Sequence, residues 1–130
     1  MKNPFAYKLK VNLSEVGEPK EEIIDIPETF NYLLGLKVKK IKVRRNNNRK
    51  YLLILGEKEG KSIAVVWREY DDSWSDKDFK EDKEFIMKEL EHWTPHVVYV
   101  NGQNALSPNF SSFTPEIRSI EPEFKKLIEV

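Results

Sequence analysis

Three apolar segments follow one another at turn-sized intervals between Lys37 and Tyr70, and this succession most restricts how the chain can fold. The first carries Val38, Ile41 and Val43 on its apolar side. Asn46–Asn47–Asn48 then makes a turn, because Asn tolerates left-handed backbone angles. Tyr51–Leu55 is apolar on both faces, the pattern of a central strand. Glu57–Lys61, with Gly56 and Gly60, supplies the next turn, and Ser62–Tyr70 carries Ile63, Ala64, Val65, Val66 and Trp67. Strands joined this closely pair as an antiparallel meander, since a parallel pairing needs a crossover of a dozen or more residues.

The flanking segments complete the reading. Phe5–Leu13 alternates, with Phe5, Tyr7, Leu9, Val11 and Leu13 on one side and Lys8, Lys10 and Asn12 on the other. That period predicts a half-buried strand. Ser14–Lys20 reads as a turn and Glu22–Ile26 as a second short strand. Pro27 suits the first position of a short helix over Glu28–Leu36, which Gly35 ends. Ser75 and Asp78 have capping-box spacing for the longest helix, Asp76–His92, and Phe79, Ile86, Leu90 and Trp93 recur along it at helical intervals. Pro95 ends that helix. Val97–Val100 is an all-apolar strand, and Asn101–Gly102 turns it. Gln103–Ile120 is expected to be an irregular loop, and Glu121–Ile128 a terminal helix.

The predicted class is α+β: a mainly antiparallel sheet, made of the N-terminal hairpin and the meander, flanked by two or three helices. Its helix–three strands–helix–strand portion has the order of many restriction-endonuclease-like cores, an analogy that carries no chemistry. One domain, 1–130, is expected, and 39% hydrophobic residues suffice for its core.

Charge is unevenly distributed. Lys plus Arg and Asp plus Glu both number 22, which excludes a diffusely basic nucleic-acid binder. Yet Lys37–Lys50 holds eight cations and no acid. Lys40, Lys42 and Arg44 fall on one face of a strand, with Arg45, Asn47, Arg49 and Lys50 around the hairpin tip. Such a ladder matches a DNA phosphate-contacting surface, and Asn47 could add hydrogen bonds to phosphates or base edges. A solvated strand face, or docking on an acidic protein surface, are the alternatives. Glu69–Glu91 carries ten acids interspersed with lysines, the pattern of a salt-bridged helix surface.

Motifs for catalysis are not evident. Cysteine is absent, so thiolate chemistry and disulfides are excluded. His92 and His96 are separated by the helix-breaking Pro95. Of the acid–x–Lys strings, the nuclease-like candidate after a strand is Glu59–Gly60–Lys61, and it falls on a turn rather than in a strand. Trp74 is the tryptophan with an exposed reading, whereas Trp67 and Trp93 sit in core-like patterns. No apolar run is long enough to span a membrane, and MKNPFAYKLK has no apolar h-region, so the expected compartment is the cytoplasm. Abundant Lys and Glu with a single Gln (Gln103) resemble thermophile usage.

ETFNYLLGL and the strand ending VWR, both within Asp25–Trp74, resemble the C-terminal region of adenine-specific DNA methyltransferases related to the Mod subunit of type III restriction–modification systems. VVYVNGQNAL (Val97–Leu106), EPEFKKL (Glu121–Leu127) and the opening NPFAYKLKV extend the similarity over essentially the whole chain. The resemblance implies S-adenosylmethionine in a parent enzyme, bound at a glycine motif, and a flipped adenine held at a Pro-Pro-aromatic motif. This chain has neither motif. It therefore resembles a non-catalytic accessory module, with no cofactor, metal or catalytic residue of its own. DNA, the methyltransferase domain, a restriction subunit or a second copy are its expected partners. A protein–protein or dimerisation module without DNA contact, and a degenerate nuclease-like domain, are the other readings.

Overall fold

Two asparagines at one hairpin tip fix the register of the sheet. In a computed structural model of the chain, which describes residues 8–11, 20–23 and 25–129, Asn47 and Asn48 have φ of 51° and 62°. Two successive left-handed residues are what a two-residue hairpin loop demands. The next hairpin repeats the solution with Glu59 and Gly60, at φ 52° and 78°.

Strands β1 (Lys8–Val11) and β2 (Lys20–Ile23) pair antiparallel in a sheet of their own instead of extending the meander. The expected second strand, Glu22–Ile26, is displaced: β2 ends at Ile23, and Ile26 opens helix α1 (Ile26–Leu34). The Asp25 side chain accepts a hydrogen bond from the Glu28 N–H at 3.0 Å, and Pro27 lies in the first turn, so Ile26 is drawn into the helix. The expected side-chain alternation of Phe5–Leu13 and the turn at Ser14–Lys20 lie outside the residues described in full.

Gly35 caps α1 in the left-handed region, and the chain enters β3 (Lys37–Asn46), β4 (Arg49–Lys58) and β5 (Lys61–Arg68), the predicted antiparallel meander. Helix α2 (Asp76–Leu90) starts with the full Ser75/Asp78 capping box. It returns the chain so that β6 (Val97–Val100) runs parallel to β5. Strand β7 (Glu116–Ser119) is parallel to β6, and helix α3 (Ile120–Ile128) follows. The sheet is therefore mixed, in the order β3-β4-β5-β6-β7, and not mainly antiparallel. The reason is two crossovers, the helix α2 before β6 and the irregular segment 101–115 before β7, each of which brings the chain back to the same end of the sheet. β7 lies inside the stretch expected to be an irregular loop, because EIRS on an exposed edge has no apolar alternation.

Helices cover both faces. On one, Phe30 and Leu34 of α1 and Phe124 of α3 pack on Ile54, Val65, Trp67 and Tyr99. On the other, Ile86 and Leu90 of α2 pack on Tyr51, Leu53, Val66, Val98 and Val100. Burial from both sides explains why β4, β5 and β6 are nearly continuous apolar runs.

Val38 and Ile41 are three residues apart, which breaks the period of two. A bulge between Val38 and Lys40 absorbs the extra residue, so Val38, Ile41 and Val43 oppose Gly56, Ile54 and Leu52 and share one face. Gly56 is needed at that crossing: a Cβ there would lie 2.5 Å from Leu36 Cγ and 2.8 Å from the Lys37 carbonyl oxygen.

Candidate functional site

Strand β3 is an edge of the five-stranded sheet, and the eight cations of Lys37–Lys50 lie along it and its hairpin. The faces alternate as expected. Lys40, Lys42 and Arg44 oppose Leu55, Leu53 and Tyr51, on the side covered by α2.

That placement brings the acidic helix onto the ladder. Lys42 Nζ lies 3.1 Å from Glu89 Oε2, donates to the Glu89 carbonyl and stands 4.5 Å from the centre of the Trp93 ring. Arg44 Nε is 3.8 Å from the same Glu89 carboxylate, while its Nη1 donates to the Val43 carbonyl. At the tip, Asn47 donates to Glu81 at 2.7 Å. Arg49 donates to Asp78 at 2.6 Å and stacks on Trp74 with its guanidinium 4.4 Å from the ring centre. The Lys50 N–H donates to Glu69 at 2.6 Å. Outside the helix contact, Lys39 pairs with Glu57 at 2.6 Å and holds that carboxyl below the ordinary range, chiefly through their hydrogen bond. Asp78 is lowered too, first by hydrogen bonds from Ser75 and then by Arg49.

The predicted set thus divides. Lys42, Arg44, Asn47 and Arg49 are engaged with α2, and Lys50 is half-buried with partners of its own. Lys40 and Arg45 are exposed, and neither makes an ion pair among the described residues. The mixed charges of α2 serve to neutralise the hairpin as well as to solvate the helix.

The opposite side of β3 is apolar and open. Ile41 is 60% exposed, Val43 53% and Val38 40%, whereas Ile54, one strand inward on the same face, is buried. This apolar side stays uncovered because α1 and α3 pack over β4 to β6 and stop short of the edge.

A second constellation, not anticipated from sequence, closes the carboxyl ends of β5 and β6, the usual place for a ligand crevice in an open α/β sheet. Arg68, Asp82, Tyr51 and Asn101 are all fully buried there. Arg68 Nε–H donates to both Asp82 oxygens at 3.0 Å, and its terminal nitrogens donate to the carbonyls of Asn101 and Gln103. Tyr51 donates its hydroxyl to Asp82 at 2.6 Å. The Asn101 side chain accepts from the Arg68 N–H and donates to the Arg68 carbonyl, so it continues the ladder past the end of β6. Gly102, at φ 69°, packs directly beneath the Tyr70 ring. Asp82 already accepts from two donors, the Arg68 Nε–H shared between its oxygens and the Tyr51 hydroxyl, and is sealed from solvent.

Burial first, and Asp82 second, push the Tyr51 hydroxyl above the ordinary phenol range. Burial pushes the Asp82 carboxyl up as well, against the pull of Arg68. The Tyr51 value is higher folded than unfolded, so its contribution is complete below about pH 10 and is lost as pH rises through the folded value. Tyr51→Phe is expected to lower neutral-pH stability by about 1–3 kcal/mol and to flatten the alkaline decline. Urea melts between about pH 8 and 12 read both; parallel alkaline curves would disprove the coupling.

The remaining candidates fall elsewhere. Glu59 occupies a tight turn, on the surface. His92 is exposed, and His96 Nδ1 accepts from the Ser62 N–H at 3.0 Å. Trp74 is half-buried in a cluster with Tyr70 and Phe79 rather than exposed. Among the described residues, no group of three or more acidic or histidine side chains is arranged to hold a metal ion, and no helix is long and apolar enough to cross a membrane. Comparisons with protein-family models, with curated proteins and with solved structures find no match to this chain.

Proposed function

We propose that this domain is a non-catalytic accessory module of an adenine-specific DNA methyltransferase of a restriction–modification system, and that it serves subunit assembly through β3. The methyltransferase setting rests on the sequence resemblance. One observation supports assembly over a phosphate ladder: Lys42, Arg44, Asn47 and Arg49 are already engaged by acids of α2, while Val38, Ile41 and Val43 stand open beside them. Exposed apolar side chains on a sheet edge suit a protein partner better than a polyanion.

DNA contact is the second reading, favoured by exposed Lys40 and Arg45 with no ion pair among the described residues. The helix–three strands–helix–strand order also fits a nuclease-like ancestry, but the buried carboxylate at the strand ends is bound to Arg68 rather than available for a metal.

The two readings separate in the complete methyltransferase. Ile41→Asp with Val43→Asp is expected to weaken subunit assembly at least about tenfold on sizing chromatography, while leaving the domain folded, since both side chains are exposed. Lys40→Glu with Arg45→Glu is expected to leave duplex affinity unchanged. Intact assembly in the first variant, together with a steep loss of salt-dependent duplex binding in the second, would replace assembly by DNA contact.

A further inference from the structure

We infer that the free edge of β3 accepts an extended strand from a partner protein, one whose side chains alternate between acidic and apolar. This rests on the assembly reading and names the chemistry of the partner at that site.

Three features of β3 converge on such a strand. Among the described residues it pairs with β4 alone, so its other edge presents backbone N–H and C=O groups to a newcomer. The bulge lies at the start of the strand, and from Lys40 to Asn46 the register is uninterrupted. The faces then set the occupant's pattern. Side chains of an added strand on the α1 side would meet Val38, Ile41 and Val43, which calls for apolar residues. Those on the α2 side would meet Lys40, Lys42 and Arg44, where the one carboxylate that the described residues supply, Glu89, serves both Lys42 and Arg44. Three cations against that single carboxylate leave the row with a net charge of about two, which calls for acids. Arg45, at the end of the apolar row, adds a third position for an acid.

The same charges exclude a second copy. Pairing β3 antiparallel with another β3 would set the row of Lys40, Lys42 and Arg44 against its own copy on the α2 side, and like charges directly opposite are destabilising. Lysine on the edge therefore bars self-association and admits an acidic strand, which is selection by repulsion as much as by attraction.

The test uses the full chain and a synthetic peptide of about ten residues alternating Glu and Val. Binding is followed by calorimetry and by amide chemical shifts. The expected result is saturable binding with the largest shifts at Lys40–Asn46. Affinity should fall at least about tenfold in Ile41→Asp/Val43→Asp and for a Lys/Val peptide of the same pattern. It should fall equally when alternate peptide amides facing β3 are N-methylated, and survive when the opposite set is methylated.

Indifference to both methylation patterns, or equal binding of unpatterned polyglutamate, would overturn the strand mode. So would duplex DNA binding at the same amides with higher affinity, or slow hydrogen exchange along the outer edge of β3 in the free chain, which would mean that another copy or this chain's own N-terminal residues already occupy it. Should the peptide fail while Ile41→Asp/Val43→Asp still breaks subunit assembly, strand addition is lost and the assembly reading stands. Failure of both results removes both.

Discussion

Arg68→Met is expected to lower stability by about 3–5 kcal/mol, because it leaves the Asp82 charge buried without its counter-ion. The cost goes beyond the ion pair. The carbonyls of Asn101 and Gln103 lose their donors as well, and Arg49, the other cation whose charge reaches Asp82, is already paired with Asp78. Arg68→Lys should rescue little, since an ammonium cannot span a carboxylate and two carbonyls set out around a planar fork. Arg68→Met combined with Asp82→Leu should recover much of the loss, as replacement of a buried pair by apolar groups is often near neutral. Urea unfolding at neutral pH measures all three. A charged residue kept for chemistry commonly yields stability when it is removed. An unchanged or higher midpoint for Arg68→Met would thus reopen the strand ends as a functional site, and the expected loss marks them as a structural plug.

Phe30→Ala should cost a similar amount, about 3–5 kcal/mol, for a different reason. The Phe30 ring is fully buried and meets three aromatic neighbours: Trp67 at 5.8 Å and Tyr99 at 5.6 Å edge-to-face, and Phe124 at 5.5 Å. Those partners belong to β5, β6 and α3, so a single side chain of α1 joins four elements. Truncation leaves a cavity that three other rings can close only by leaving their own contacts. Phe30→Leu should cost about half as much or less. Thermal melts give the magnitude, and near-ultraviolet dichroism of Trp67 gives the loss of packing. A cost below about 1 kcal/mol would mean that α1 does not close this face of the sheet.

Much of this architecture is legible from residue pattern. Successive turn residues identify the meander, and the Ser75/Asp78 spacing identifies α2. The parallel strands are less visible, because direction depends on where a crossover returns the chain, and no residue type encodes that locally. β7 escapes for want of any apolar period. At the surface, the alternation of Lys40, Lys42 and Arg44 against Ile41 and Val43 is readable, but its consequence depends on what covers each face. Periodicity sorts a strand's residues into two sides; helix placement decides that the cations meet Glu89 and the aliphatic side chains meet solvent. The buried pair does leave a trace. Asp82 lies three residues after Phe79 and four before Ile86, on the apolar stripe of α2, and Arg68 is the cation that follows the apolar run Ile63–Trp67 at the end of β5. A charge on each of two buried faces asks for a partner, and each is the other's.

The mixed sheet also has a consequence in time. β3, β4 and β5 find one another across turns of two residues, whereas Ile63 of β5 must await Val97 of β6, with α2 folded between them. Closing the longer loop loses more chain entropy before any contact repays it, so the meander forms first and β6 arrives late. Until then β5, with Val65, Val66 and Trp67, is itself an unprotected edge without the lysines that guard β3. Pulse-labelled amide exchange should find β4 protected before β6, and simultaneous protection would contradict this order. How long that temporary edge stays open, more than the stability of the finished sheet, sets the chain's exposure to aggregation during folding.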